Sequence, residues 1–201
     1  MNAALTYFKK VDSKLYAIAN KFELKKLTTR KSFTYFQCLC REIVGQQLSG
    51  RLADVIFDRF LNLFANKKVS ASIILKLEDE KLRNVGMAWS KVRAIKDMAA
   101  KVESKVVRLD KLSKMNNNEV VEHLTQVKGI GPWTAEMFLM FTLGREDVFS
   151  SRDLGLRNSM IKLYGLDEKI KNEDLEAISN RWSPFRSYAC LALWNYRDGQ
   201  K

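Results

Sequence analysis

Gly129, Ile130 and Gly131 are the residues whose types and spacing most plainly suit the binding of an anion. Two glycines flanking one apolar residue let the backbone turn sharply and bring amide N–H groups close to an outside partner. Pro132 follows, and proline favours the first position of a helix. The unpaired N–H groups and positive dipole end of that helix then face the same way, which suits a backbone phosphate. A bare GxG is also an ordinary interhelical turn, with Ile130 plugging into the core. A second chemical candidate is the carboxylate of Asp153. It precedes Leu156, Met160, Leu163 and Tyr164, the apolar face of a helix closed by Gly165, so by itself it reads as an N-cap.

These residues need elements to hold them. Asn116 and Glu119 have capping-box spacing, and Val120, Val121, Leu124 and Val127 then mark one helical face ending near Val127. The next helix starts at Pro132 and is closed by Gly144, giving helix, tight turn, helix. Earlier, Phe36, Leu39, Cys40, Ile43 and Val44 form an amphipathic stripe that runs into Gly45–Ser49. Leu52, Ile56, Phe60 and Leu63 mark the helix after it. Glutamines rarely interrupt an apolar stripe for packing reasons, although Gln46 and Gln47 also fit a capping turn bonded to nearby backbone.

Residues 78–102 echo the GIG unit, with Gly86 in a turn and Ser90 and Lys91 able to touch phosphate. Asp12 or Ser13 caps a helix over Leu15–Phe22, and the surrounding lysines read as a solvated face. The last helices run from about Glu173 to Trp194. No span alternates with period two, so the expected fold is all-α, with about nine or ten helices.

The 201 residues carry a formal net charge of +12 and only two prolines and nine glycines. That balance points to a polyanionic partner and against low complexity. No apolar run approaches a membrane span of about 18 residues, and no signal-peptide core is present. An intracellular protein is expected: cytoplasmic or nucleoid-associated in a prokaryote, nuclear in a eukaryote. Cys38, Cys40 and Cys190 do not make a disulfide framework, and one histidine leaves no His/Cys zinc site.

KGIGPWTA at 128–135, DVF at 147–149 and DLGL at 153–156 resemble the helix–hairpin–helix DNA glycosylases, in the 3-methyladenine DNA glycosylase II branch. IVGQQLSGRLA at 43–53, VGMAWSKVRAI at 85–95 and RWSPFRSYACLALW at 181–194 agree, in family order. The resemblance implies one glycosylase domain of two helical lobes over residues 1–201, with the hairpin at about 117–143 and the catalytic loop at 144–155. It aligns Asp153 with the family's catalytic aspartate and Asp147 with a structural one. Trp133, Met137, Leu154 and Trp194 fall on the base pocket, and Gln47 or Leu48 on the wedge that fills the gap left by an extruded base. Phosphate falls to the amides of Gly129, Gly131 and Thr134. The carbonyls of Thr125, Val127 and Ile130 match those that hold a monovalent Na+ or K+ in the family. Only Cys190 lies in the tail where some members bind an iron–sulfur cluster, so no cluster is expected, nor any other cofactor.

Trp133 occupies the position of the Schiff-base lysine in lyase-competent members, which implies a monofunctional enzyme. The expected partner is double-stranded DNA containing alkylated bases, met by a monomer without membrane contact. The chain departs from the family at Ser150, Arg152, Met137 and Leu154. An adjacent guanidinium at Arg152 either activates Asp153 or sequesters it in an ion pair. The competing expectations are a non-catalytic hairpin module that binds DNA, and a glycosylase for oxidised or deaminated bases. The missing cluster cysteines and lyase lysine disfavour the last.

Overall fold

The computed structural model describes residues 3–199. Among the described residues are twelve α-helices and no strand. In chain order, α1 (Ala3–Val11) and α2 (Ser13–Ala19) are followed by α3 (Tyr35–Gly45), α4 (Gly50–Leu61), α5 (Ala71–Lys76) and α6 (Asp79–Asn84). Next come α7 (Trp89–Glu103), α8 (Asn117–Leu124) and α9 (Pro132–Phe141), then α10 (Leu154–Tyr164), α11 (Asn172–Ser179) and α12 (Arg186–Asp198). The two beyond the ten expected are α1, in the lysine-rich stretch read as a solvated face, and α5, whose six residues are too few for a periodic pattern to show. None is long and apolar enough to cross a membrane.

The chain divides into two compact units. Thr29–Leu143 forms the hairpin unit, and Met1–Thr28 with Gly144–Lys201 forms the terminal unit. In the hairpin unit, α9 is apolar nearly all round and buries Thr134, Ala135, Met137, Phe138, Leu139 and Met140. A helix without a polar face belongs in a core. Tyr35 of α3 meets Phe138 edge-on, with ring centroids 5.5 Å apart.

The terminal unit is knotted around Asp12, which is buried. It caps α2 by accepting from the Leu15 amide at 3.0 Å, and its other oxygen accepts from the Tyr164 hydroxyl at 2.8 Å and the Trp182 indole at 2.9 Å. A buried carboxylate needs such partners. Helix ends differ modestly from expectation. α2 stops at Ala19, and α8 stops at Leu124 although its capping box forms with both bonds. α9 ends at Phe141 rather than near Gly144, because the amides of Thr142 and Leu143 both go to the Phe138 carbonyl. Gly165 closes α10 at a left-handed φ of 68°, as its position predicts.

Candidate functional site

In the hairpin unit the GIG turn is built from both sides. Ile130 is buried as its plug. Gly129 has φ +83°, and a Cβ there would lie 2.9 Å from the Ala94 Cβ on α7, so conformation and space both require glycine. Asp97 of α7 accepts from the Lys128 amide at 2.7 Å and from Lys101 Nζ at 2.8 Å. Lys101 also donates to the Gln126 carbonyl. Burial pushes the Asp97 carboxyl up, but its bonds to Lys101 and Lys128 outweigh that and hold it below the ordinary range. α9 then begins with Gly131 as N-cap and Pro132 at its first turn. A helix start presents amide N–H groups without an intrahelical acceptor, and Thr134 lies in that turn.

The two glutamines after α3 divide the work between them. Gln46 is half-buried, and its Nε2 donates to the Gly129 carbonyl at 2.9 Å and to Thr134 Oγ1 at 3.1 Å. Gln47 is exposed and sits at φ +56°, a left-handed conformation costing a non-glycine residue about 1–2 kcal/mol. Leu48 is half-buried. Gln46 thus bonds to the distant hairpin rather than to the nearby backbone of a capping turn, while Gln47 is the side chain presented outward. Lys91 reaches the same turn, donating from Nζ to the carbonyls of Val44 at 2.9 Å and Gln46 at 2.8 Å. Burial lowers its pKa. Ser90 beside it is exposed. The sequence reading missed Gln46, whose only signal was its place in the Gln-Gln pair.

In the terminal unit Asp153 is indeed the N-cap of α10. Its Oδ1 accepts from the Leu156 amide at 2.8 Å and from the Trp194 indole N–H at 3.1 Å. Leu154, next in sequence, is 68% exposed, an unusual place for a large apolar side chain on a well-packed unit. Arg152 is exposed, and the guanidinium packed against this turn is that of Arg197, one helical turn beyond Trp194 on α12. A Cβ at Gly155 would overlap it. Asp198 holds Arg197 through a 2.8 Å bond, and that bond together with the charges of Asp198 and Asp153 raises its pKa.

Asp147 anchors the loop that leads to Asp153. It accepts from Arg186 Nε at 2.6 Å and Nη2 at 3.2 Å, and from the Ser183 hydroxyl at 2.8 Å. Burial pushes its carboxyl up, yet Arg186 and Ser183 prevail and keep it below the ordinary carboxylate range.

The pocket residues fall in two groups. Trp133 and Met137 lie one turn apart on α9, the first 38% exposed and the second buried. Leu154 and Trp194 flank Asp153. Elsewhere in the hairpin unit, a cavity of about 550 Å³ is lined by Arg30, Lys31, Arg41, Glu42, Phe57 and Phe141. Its excess of cations is opposite to what a positively charged base requires. Thr125 is the C-cap of α8, and the Val127 carbonyl accepts from the Ile130 amide at 3.0 Å.

Compared with protein families, residues 40–184 match the model of HhH-GPD superfamily base excision DNA repair proteins. The chain belongs to that superfamily. Among HhH-GPD relatives, the YfjP protein of Bacillus subtilis is 30% identical over 168 residues, covering 81% of this chain, which spans only 58% of its length. DNA-3-methyladenine glycosylase 1 of Schizosaccharomyces pombe is 32% identical over 161 residues, covering 79% of this chain and 71% of that protein. A solved HhH-GPD neighbour is the Schizosaccharomyces pombe 3-methyladenine DNA glycosylase Mag1, in complex with abasic DNA. It has a TM-score of 0.84 and 28% identity, covering 97% of this chain and 96% of that one.

Proposed function

We propose that this chain is a monofunctional DNA glycosylase that extrudes alkylated purines of the 3-methyladenine and 7-methylguanine type from duplex DNA and hydrolyses the N-glycosidic bond. The observation that carries the reading is the Asp153 carboxylate, fixed by the Leu156 amide and the Trp194 indole beside the exposed Leu154. The relatives named for 3-methyladenine support the lesion class.

An N3- or N7-alkylated purine is already cationic and leaves without protonation. The sugar then develops oxocarbenium character. The two hydrogen bonds to Oδ1 hold the carboxylate ready to stabilise that charge, and to orient or deprotonate the attacking water. Extrusion comes first, at a cost of a few kcal/mol that damaged pairs reduce. Gln47, or Leu48 beside it, fills the gap. The indole of Trp194, bonded to Asp153, holds the cationic base by stacking and cation–π attraction worth about 0.5–2 kcal/mol. The amides of Gly129, Gly131 and Thr134 take the backbone phosphate, and the carbonyls of Thr125, Val127 and Ile130 would hold a monovalent cation, which would supply positive charge there. Trp133 offers no amine, so no imine with the sugar forms.

The reading is tested by incubating the protein with methylated duplex and separating the products by chromatography. Free 3-methyladenine and an intact abasic strand are expected. The second reading, a non-catalytic DNA-binding module, draws on the capping role that Asp153 visibly has. Tight duplex binding with no base release would favour it.

A further inference from the structure

One face of α7 touches both loops proposed to meet DNA. Lys91, Ala94, Asp97 and Lys101 follow at intervals of three, three and four residues, which places them along a single helical stripe. Lys91 holds the carbonyls of Val44 and Gln46 at the end of α3. Ala94 lies under Gly129, Asp97 holds the Lys128 amide, and Lys101 holds the Gln126 carbonyl. Gln46 closes the circuit by bonding across from the α3 turn to Gly129 and Thr134.

The backbone of the α3 turn is held loosely by its own bonds. Its own backbone bonds, Gln46 N–H to Ile43 O at 3.4 Å and Leu48 N–H to Gly45 O at 3.2 Å, are long. Gln47 nevertheless occupies the left-handed region. A strained residue persists only where its surroundings over-determine it. The ammonium of Lys91 at the carbonyl end of α3 and the amide of Gln46 on the hairpin are those surroundings.

We propose that Lys91 and Gln46 are positioning residues that hold Gln47 in its inserting conformation, with α7 as the splint that fixes the wedge turn against the phosphate-binding turn. This rests on the reading of Gln47 as the wedge. Lys91 then acts on the protein's own carbonyls rather than on a DNA phosphate. The hairpin keeps its separate anchors, Asp97 and Lys101, so loosening the wedge turn leaves the number of phosphate contacts unchanged.

The experiment compares Lys91→Met, Gln46→Met and Gln47→Ala with wild type in single-turnover excision of 7-methylguanine. The lesion is placed once in a duplex and once in an unpaired bulge, where no gap needs filling. Binding to undamaged duplex is measured across salt concentrations. Both methionine variants are expected to excise from duplex about tenfold more slowly, the effect of losing one charge-assisted or well-formed hydrogen bond, and from the bulge at the wild-type rate. Their salt slope should equal that of wild type. Equal losses on both substrates, or none on duplex, overturn the proposal. So does a Lys91→Met salt slope shallower by about one unit, which would make Lys91 a phosphate contact. If Lys91→Met does not fold, Gln46→Met carries the same prediction alone. If Gln47→Ala excises from duplex at full speed, the wedge assignment itself fails, and with it the proposal. Absence of excision by wild type instead refutes the glycosylase reading.

Discussion

Replacing Gly129 by alanine separates two demands that the hairpin makes on one residue. At φ +83° an alanine is strained by about 1–2 kcal/mol. Its methyl would also stand 2.9 Å from the Ala94 Cβ, well inside contact distance, and overpacking of this kind costs about 1–3 kcal/mol. Gly129→Ala should therefore destabilise the protein by about 2–5 kcal/mol. In an Ala94→Gly background the steric part vanishes and the conformational part stays. Ala94→Gly itself costs about 1 kcal/mol within a helix. A double-mutant cycle by urea unfolding, with unchanged m values, should then give a favourable coupling of about 1–3 kcal/mol between the two substitutions. Affinity for undamaged duplex should fall with Gly129→Ala, since the amide of residue 129 moves. Equal costs of Gly129→Ala in both backgrounds would refute the idea that α7 sets the shape of the turn.

Three further outcomes follow from the same geometry. With about four to six phosphates neutralised, log K for undamaged duplex should fall against log salt with a slope near −0.9 per phosphate; a flat response in a binding titration would contradict a phosphate-binding surface. Borohydride added during turnover should trap no covalent protein–DNA adduct, and a strong adduct on a denaturing gel would remove the argument from Trp133. Arg186 and Ser183 hold the Asp147 carboxyl below the ordinary carboxylate range, so its contribution is complete at neutral pH and disappears as pH falls through the folded value. Arg186→Met should cost about 1–3 kcal/mol at pH 7 and progressively less as the pH is lowered into the acid range, read from thermal melts; a cost independent of pH would show that the ion pair is not the source.

What the sequence revealed was mostly local. The long helices α3, α4 and α10 announced themselves because their apolar residues recur over several turns, and α9 did so by Pro132 and Gly144 at its ends. Caps at Asp12, Asn116, Asp153 and Gly165 were readable because donor and acceptor lie within a few residues of each other. The lysine-rich α1 and the six-residue α5 gave no such periodic signal. Partnerships across the chain were invisible: the Gln46 amide finds Gly129 and Lys91 finds Gln46, while Trp182 finds Asp12 from the other end of the sequence. At the candidate site, position alone identified Asp153 as a cap, and its chemistry came only from the resemblance. The bond from Trp194 and the packing of Arg197 at Gly155 depend on α12 folding back beside α10, which no local pattern encodes.

Asp153→Asn is the substitution that separates catalysis from capping. The asparagine side-chain oxygen still accepts from the Leu156 amide and the Trp194 indole, and asparagine caps a helix as well as aspartate does. Only the negative charge is lost. Single-turnover release of 3-methyladenine from methylated duplex should slow by about 10²–10³, while the melting temperature and duplex affinity stay close to wild type. Release at the wild-type rate by Asp153→Asn would contradict the account, leaving Asp153 a helix cap and nothing more.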